Sequence, residues 1–292
     1  MAGTELWTIR KLITWTTGYF KTHQIEEPRL DAELLLGHVL QKPRIYLYTD
    51  YDEIVNPDEL AHYRDLIKKR IAGYCTAVLI GEKEFMGLTF KVNESVLVPR
   101  PDTEAWLEKI IQQYRNIPGT RLLDLGTGSG AIAVSFLSFC KEASAVAVDI
   151  SGEALAVAEE NGKTAGISSR IEWREGDFLH VLKENEIFDV ILSNPPYIPT
   201  KDIEALATEV RHEPHLALDG GEDGLTFYRL LAEGAPAHLS PGGLLAVEVG
   251  IHEAEDVAAL FQNAGLEGVT TIKDYGGIER AVVGKLGMKN EE

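Results

Sequence analysis

Apolar residues follow two textures along this chain: helical spacing over the first seventy or so residues, then runs that alternate between strand and helix beyond Thr120. Leu6, Ile9, Ile13 and Phe20 recur at helical spacing, and a second helical run covers 30–40. A third helix carries its own start signal. Asn56 suits the cap, Pro57 the first turn and Glu59 a capping box, and Leu60, Tyr63, Ile67 and Ile71 follow as an apolar stripe. Between 81 and 98, Phe85, Leu88, Phe90, Val92, Val96 and Val98 interleave with polar residues around Gly87, the pattern of strands joined by a turn. Arg100-Pro101-Asp102-Thr103-Glu104 leads into a helical segment over 105–114, with Asp102 and Thr103 as candidate caps. Strand patterns then fall at 121–125, 145–149, 171–175, 188–193, 244–249, 269–272 and 281–283, with helical runs at 131–139 and 152–164. That alternation predicts an α/β fold, a mostly parallel sheet with helices on both faces.

Composition narrows the class. At 292 residues and 45% hydrophobic content, the chain has room for one large domain and a small one. The stretch 6–20 is broken by Arg10, Lys11 and several threonines, and no apolar run is long enough to span a bilayer, so no export signal or membrane attachment is expected. Cys75 and Cys140 lie far apart with no Cys-x-x-Cys, which disfavours a disulfide framework or a zinc site and suits a cytoplasmic protein. The net charge of −18 opposes sequence-independent adhesion to nucleic acid and suits a basic protein partner. The one basic run, Lys68-Lys69-Arg70, reads as the solvated end of the third helix.

Candidate chemistry sits at the ends of the strand patterns. Asn194-Pro195-Pro196-Tyr197 follows the pattern at 188–193, where α/β sheets place their ligands. Prolines lack N–H groups and stiffen the turn, so it offers acceptors. The Asn194 side-chain carbonyl and the Pro195 main-chain carbonyl together would hold a planar amino group with one face open, and Tyr197 would cover it. The plain alternative is a turn after a strand. Asp124-Leu125-Gly126-Thr127-Gly128-Ser129-Gly130 ends the first strand pattern and opens a helix, so a ligand can approach the backbone there. The spacing departs from the dinucleotide fingerprint because Gly130 comes one residue early. Asp149, with Ile150 beside it, lies about twenty residues on, where a carboxylate accepts from the hydroxyls of an adenosine ribose. Asp177 and Phe178 would meet the adenine, or else cap a helix and fill the core. Taken in order, these segments form an S-adenosylmethionine site facing a planar-amine site.

These residues resemble the class I S-adenosylmethionine-dependent methyltransferases and, more narrowly, the HemK/PrmC family, which methylates the glutamine of the Gly-Gly-Gln loop in peptide chain release factors. The resemblance runs through Asp31-Ala32-Glu33-Leu34-Leu35-Leu36, Gly81-Glu82-Lys83-Glu84-Phe85, Pro99 to Glu104, the glycine loop, Ser193 to Pro199, Glu213-Pro214 and Gly220-Gly221-Glu222-Asp223-Gly224-Leu225. It implies a seven-stranded Rossmann-like methyltransferase sheet over 101–292, an N-terminal helical substrate-recognition domain over 1–80 and a β-hairpin linker over 81–100. It also implies S-adenosyl-L-methionine as cofactor, release factors as protein substrates, no metal, and Arg100 among the substrate-binding residues. The tetrapeptide at 194 is shared with enzymes that methylate amino groups of adenine or guanine in nucleic acid, the alternative reading; the N-terminal and linker motifs are not. Two departures stand out. Cys75 and Val78 replace the family's usual Pro and Tyr, and Glu253 replaces a glutamine, in what reads as a peripheral loop.

Overall fold

The computed structural model describes residues 6–288, which fall into two compact units, 6–81 with 207–212 and 82–206 with 213–288. The first unit is helical. Its longer helices are Ile9–Thr22, Pro28–Leu40 and Pro57–Ile71, with short ones at Tyr46–Thr49 and Thr76–Ile80. The first helix starts later than the apolar spacing suggests because the Thr8 hydroxyl caps it, and Leu6 is left outside and exposed. The capping box at Asn56 and Glu59 forms as expected. Ile9, Ile13, Phe20, Leu35, Leu36, Tyr63 and Ile67 fill the core between these helices.

Two ionic networks centred on buried side chains tie this unit together. Glu33 accepts from Arg29 (2.8 Å), Arg44 (2.7 Å) and the Tyr48 hydroxyl (2.6 Å). Burial opposes its charge, but these three donors hold its carboxyl below the usual range. Arg70 corrects the reading of the basic run as a solvated helix end. Its side chain is 4% exposed and bonds Asp31 at 2.7 Å and Glu209 at 2.5 Å, because position 70 falls on the same helix face as Tyr63 and Ile67.

The second unit opens with the hairpin β1 (Glu82–Phe85) and β2 (Leu88–Lys91), joined through Met86 and Gly87, both in the left-handed region that a tight two-residue turn needs. The strand ends at Lys91, earlier than the apolar pattern suggests. Val92, Val96 and Val98 are buried, but from a loop. The helix Pro101–Tyr114 follows; Pro101 fixes its first turn, so the cap position falls on Arg100 and neither Asp102 nor Thr103 caps it.

The main sheet has seven strands, as the resemblance implies: β3 (Arg121–Leu125), β4 (Ser144–Asp149), β5 (Ile171–Glu175), β6 (Phe188–Ser193), β7 (Leu239–Glu248), β8 (Leu266–Lys273) and β9 (Glu279–Leu286). Their order is β5-β4-β3-β6-β7-β9-β8, parallel except for β9, which runs antiparallel to both β7 and β8. Successive residues point to opposite faces. Leu122 and Leu192 join Trp106, Ile110 and Phe136 on one side, and Leu123 and Ile191 join Tyr228, Val247 and Phe261 on the other. The chain lays down β3, β4 and β5 outward, then returns to place β6 on the other side of β3. That reversal opens a crevice at the carboxyl ends of β3 and β6.

Candidate active site

The loop after β3 turns back on the sheet, with Gly126 and Thr127 donating to the Val148 carbonyl at 2.9 and 3.0 Å. Gly130 closes the turn at φ +80°, and a Cβ there would stand 3.2 Å from Ala158 and Val134. Glycine is required at that point. The Gly128 N–H donates to Asp149 at 2.8 Å and Ser151 N–H at 3.0 Å, one to each carboxylate oxygen. The carboxylate is thereby fixed with a further lone pair free on each oxygen. Burial raises the Asp149 carboxyl above its usual range.

Asp124, at the end of β3, has surroundings that the motif does not reveal. It is fully buried and accepts from the Thr127 hydroxyl (2.7 Å) and the Ala133 N–H (3.1 Å) through one oxygen. The other oxygen is buried without a partner among the described residues, and burial pushes the carboxyl up to about 7. A donor or cation brought into the loop would complete it.

A cavity of about 230 Å³ runs across these strand ends. Gly126, Thr127, Gly128, Ser129, Asp149, Ile150, Asp177, Phe178, Asn194 and Pro196 line it, whereas Gly130, Pro195 and Tyr197 do not. Ile150 is more than half exposed, an apolar side chain offered to the cavity. Phe178 sits at φ +49°, an uncommon backbone for an aromatic residue, and its ring packs 5.3 Å from Phe227. Asp177 precedes a 3-10 turn at Phe178–Val181 without capping it through its side chain, and Phe178 both lines the cavity and packs into the core.

Asn194 follows β6 directly beside the glycine loop, because β3 and β6 pair Leu125 with Ser193. Its side-chain nitrogen lies 3.4 Å from the Thr103 hydroxyl, which lies 2.5 Å from Glu248 at the end of β7; the Trp106 indole N–H donates to the same Glu248 oxygen at 3.0 Å. Among the described residues, no donor reaches the Asn194 side-chain oxygen or the Pro195 carbonyl. The Asn194–Pro195 bond is trans. Tyr197 packs, partly buried, against the sheet face that holds Tyr228 and Val247, and burial raises its hydroxyl above the usual range. Its ring lies 3.1 Å from where a Cβ on Gly250 would stand. Glu253, read from sequence as peripheral, is instead part of this support: it accepts from the Gly250 N–H (2.9 Å) and the Tyr228 hydroxyl (3.3 Å). Arg100 lines the cavity and donates from one nitrogen to both oxygens of the buried Glu213, at 2.7 and 2.8 Å.

Among the described residues, no cluster of His, Cys, Asp and Glu could hold a metal ion, and no helix is long and apolar enough to cross a membrane. Residues 11–81 match the PrmC N-terminal domain and residues 103–222 the methyltransferase small domain. A release factor glutamine methyltransferase of Geobacter sulfurreducens is 43% identical over 284 residues, covering 97% of this chain and 98% of its own. One from Moorella thermoacetica is 41% identical, covering 92% of this chain and 94% of its own. A methyltransferase structure from Pyrococcus furiosus aligns with a TM-score of 0.53 at 23% identity, over 78% of this chain and 99% of that one, a likeness of fold alone.

Proposed function

The chain belongs to the release factor glutamine methyltransferase family, and from that membership we propose that its cavity binds S-adenosylmethionine beside the glutamine side chain of a release-factor Gly-Gly-Gln loop. The residues present fit that cofactor. Asp149 is fixed by two amides with lone pairs left for two hydroxyls, Asp124 has an unpartnered buried oxygen, and Ile150 and Phe178 offer apolar surface to a base. When bound, the cofactor supplies an activated methyl group on a positively charged sulfur.

The chain's own work is positioning. An amide nitrogen is a poor nucleophile because its lone pair is delocalised into the carbonyl. Asn194 Oδ1 and the Pro195 carbonyl, both without donors of their own, each accept one N–H of the glutamine amide and favour pyramidal nitrogen as the new bond forms. Pro195 and Pro196 bring no competing N–H. Holding the nitrogen in reacting position is worth on the order of 7–11 kcal/mol in well-aligned systems; as the nitrogen gains the methyl the carbon–sulfur bond breaks with its electrons left on sulfur, and one N–H proton of the methylated amide is lost to water. The observation that carries this reading is the open Asn194 acceptor in the cavity that Asp149 also lines, followed directly by a Pro195 carbonyl that no donor reaches among the described residues. Incubation with methyl-labelled S-adenosylmethionine and a release factor should label the Gly-Gly-Gln glutamine, identified by mass spectrometry. Asn194→Ala should leave cofactor affinity intact and slow transfer by about a hundredfold. Transfer to nucleic acid instead of the glutamine would overturn the reading.

A further inference from the structure

Asn194 serves as an acceptor only if its carbonyl, and not its NH2, faces the substrate. The two ends of the amide are alike in shape and opposite in hydrogen-bond polarity. What chooses between them begins at Thr103, in the cavity wall, and runs back to Glu248 and Trp106 behind it. Glu248 Oε2 accepts from the Trp106 indole N–H at 3.0 Å, a group that can only donate, and from the Thr103 hydroxyl at 2.5 Å. A hydroxyl has one proton to give. With that proton committed to Glu248, only lone pairs of Thr103 face Asn194, so Asn194 must turn Nδ2 toward Thr103 at 3.4 Å and Oδ1 away from it. Trp106 and Glu248 are buried, at 0% and 2% exposure, and Thr103, at 4%, borders the cavity, so bulk water does not compete for Glu248. The three elements that meet here are the first turn of the helix Pro101–Tyr114, the end of β7 and the residue after β6.

We infer that Thr103 and Glu248, backed by Trp106, are positioning residues that fix the polarity of the Asn194 amide and so make it an acceptor for the substrate amino group. The inference rests on the methyl-transfer reading above. Its mechanism is specific: without an acceptor at 248, the Thr103 proton is free to turn to Asn194 Oδ1, and the amide then presents NH2 to an NH2.

The test compares kcat and KM for methylation of a release factor, and cofactor affinity by calorimetry, across Thr103→Val, Thr103→Ser, Glu248→Gln and Asn194→Ala. Thr103→Val keeps shape and removes the relay, and should lower kcat ten- to a hundredfold while cofactor affinity holds. Thr103→Ser should restore most of the loss. Glu248→Gln should keep most of the wild-type kcat, since one carboxamide oxygen can accept from both Thr103 and Trp106. In the Asn194→Ala background, Thr103→Val should cost nothing further, because Thr103 acts through Asn194. Wild-type turnover by Thr103→Val, or its full loss repeated on top of Asn194→Ala, would overturn the inference with the methyl-transfer reading intact. A wild-type protein that transfers no methyl to the glutamine would overturn the reading and the inference with it, before any variant is compared.

Discussion

Asp124 holds a carboxyl where water cannot reach it, and its titration should be visible in stability. Burial pushes it up to about 7, so between about pH 4 and 7 the folded chain holds a proton that the unfolded chain has released. Stability from this group is therefore present at low pH and lost as pH rises through that window, by on the order of 4 kcal/mol. Asp124→Asn keeps an oxygen for Thr127 and Ala133 and cannot ionise. Urea unfolding of the cofactor-free protein at pH 5 and pH 8 should show the wild type losing stability relative to the variant; parallel behaviour would mean that Asp124 does not titrate there. This residue stood in the glycine-loop motif, yet its chemistry was illegible, because burial is a property of the fold. The placement of Asp149 and Asn194 at the strand ends was legible because Asp149 closes one strand pattern and Asn194 directly follows another, each beside a recognisable turn. Thr103 and Glu248 are 145 residues apart, and no local spacing could have joined them.

Among the elements, those with local signals were readable. The third helix announced itself through Asn56, Pro57 and Glu59, and the hairpin through alternation around Gly87. Tyr46–Thr49 and Thr76–Ile80 are too short to show a period. Thr226–Gly234 and Ala254–Asn263 do carry one, in Tyr228, Leu231 and Ala232 and in Ala254, Val257 and Phe261, so these two helices are legible in the apolar spacing of the chain. Lys68-Lys69-Arg70 shows why charge runs mislead: two members are exposed, and the third lies on the buried stripe of its helix. Removing Arg70 would strand Asp31 without its cation in a buried setting, so Arg70→Met should destabilise the helical unit by about 3–5 kcal/mol. Arg70→Met with Asp31→Asn should recover part of the loss, since no buried charge is then left unpaired. Chemical denaturation followed by fluorescence of Trp7 and Trp15, both in that unit, would read it out. Equal stability of wild type and Arg70→Met would show that the pair contributes nothing.

For the whole molecule, the order of strand and helix patterns was enough to read a parallel sheet, while its antiparallel end at β8 and β9 follows from pairing that no single strand reveals. Charge is the other property on this scale, and it is unevenly shared. Residues 1–81 hold 10 Lys and Arg against 11 Asp and Glu, leaving 18 against 35 for the remainder, so nearly all of the −18 belongs to the part that carries the cavity. A field of that sign repels phosphate backbones and attracts cationic surface over about 10 Å at 0.1 M salt. The sign of the salt effect on kcat/KM therefore reports the charge of whatever surface approaches the cavity. With a release factor that presents a basic segment around its Gly-Gly-Gln loop, kcat/KM should fall as salt is raised, while kcat at saturating substrate stays nearly constant, because screening slows encounter and leaves the bound geometry alone. An increase with salt would mean that the approaching surface is acidic, and the match between acidic enzyme and basic partner would have to be abandoned.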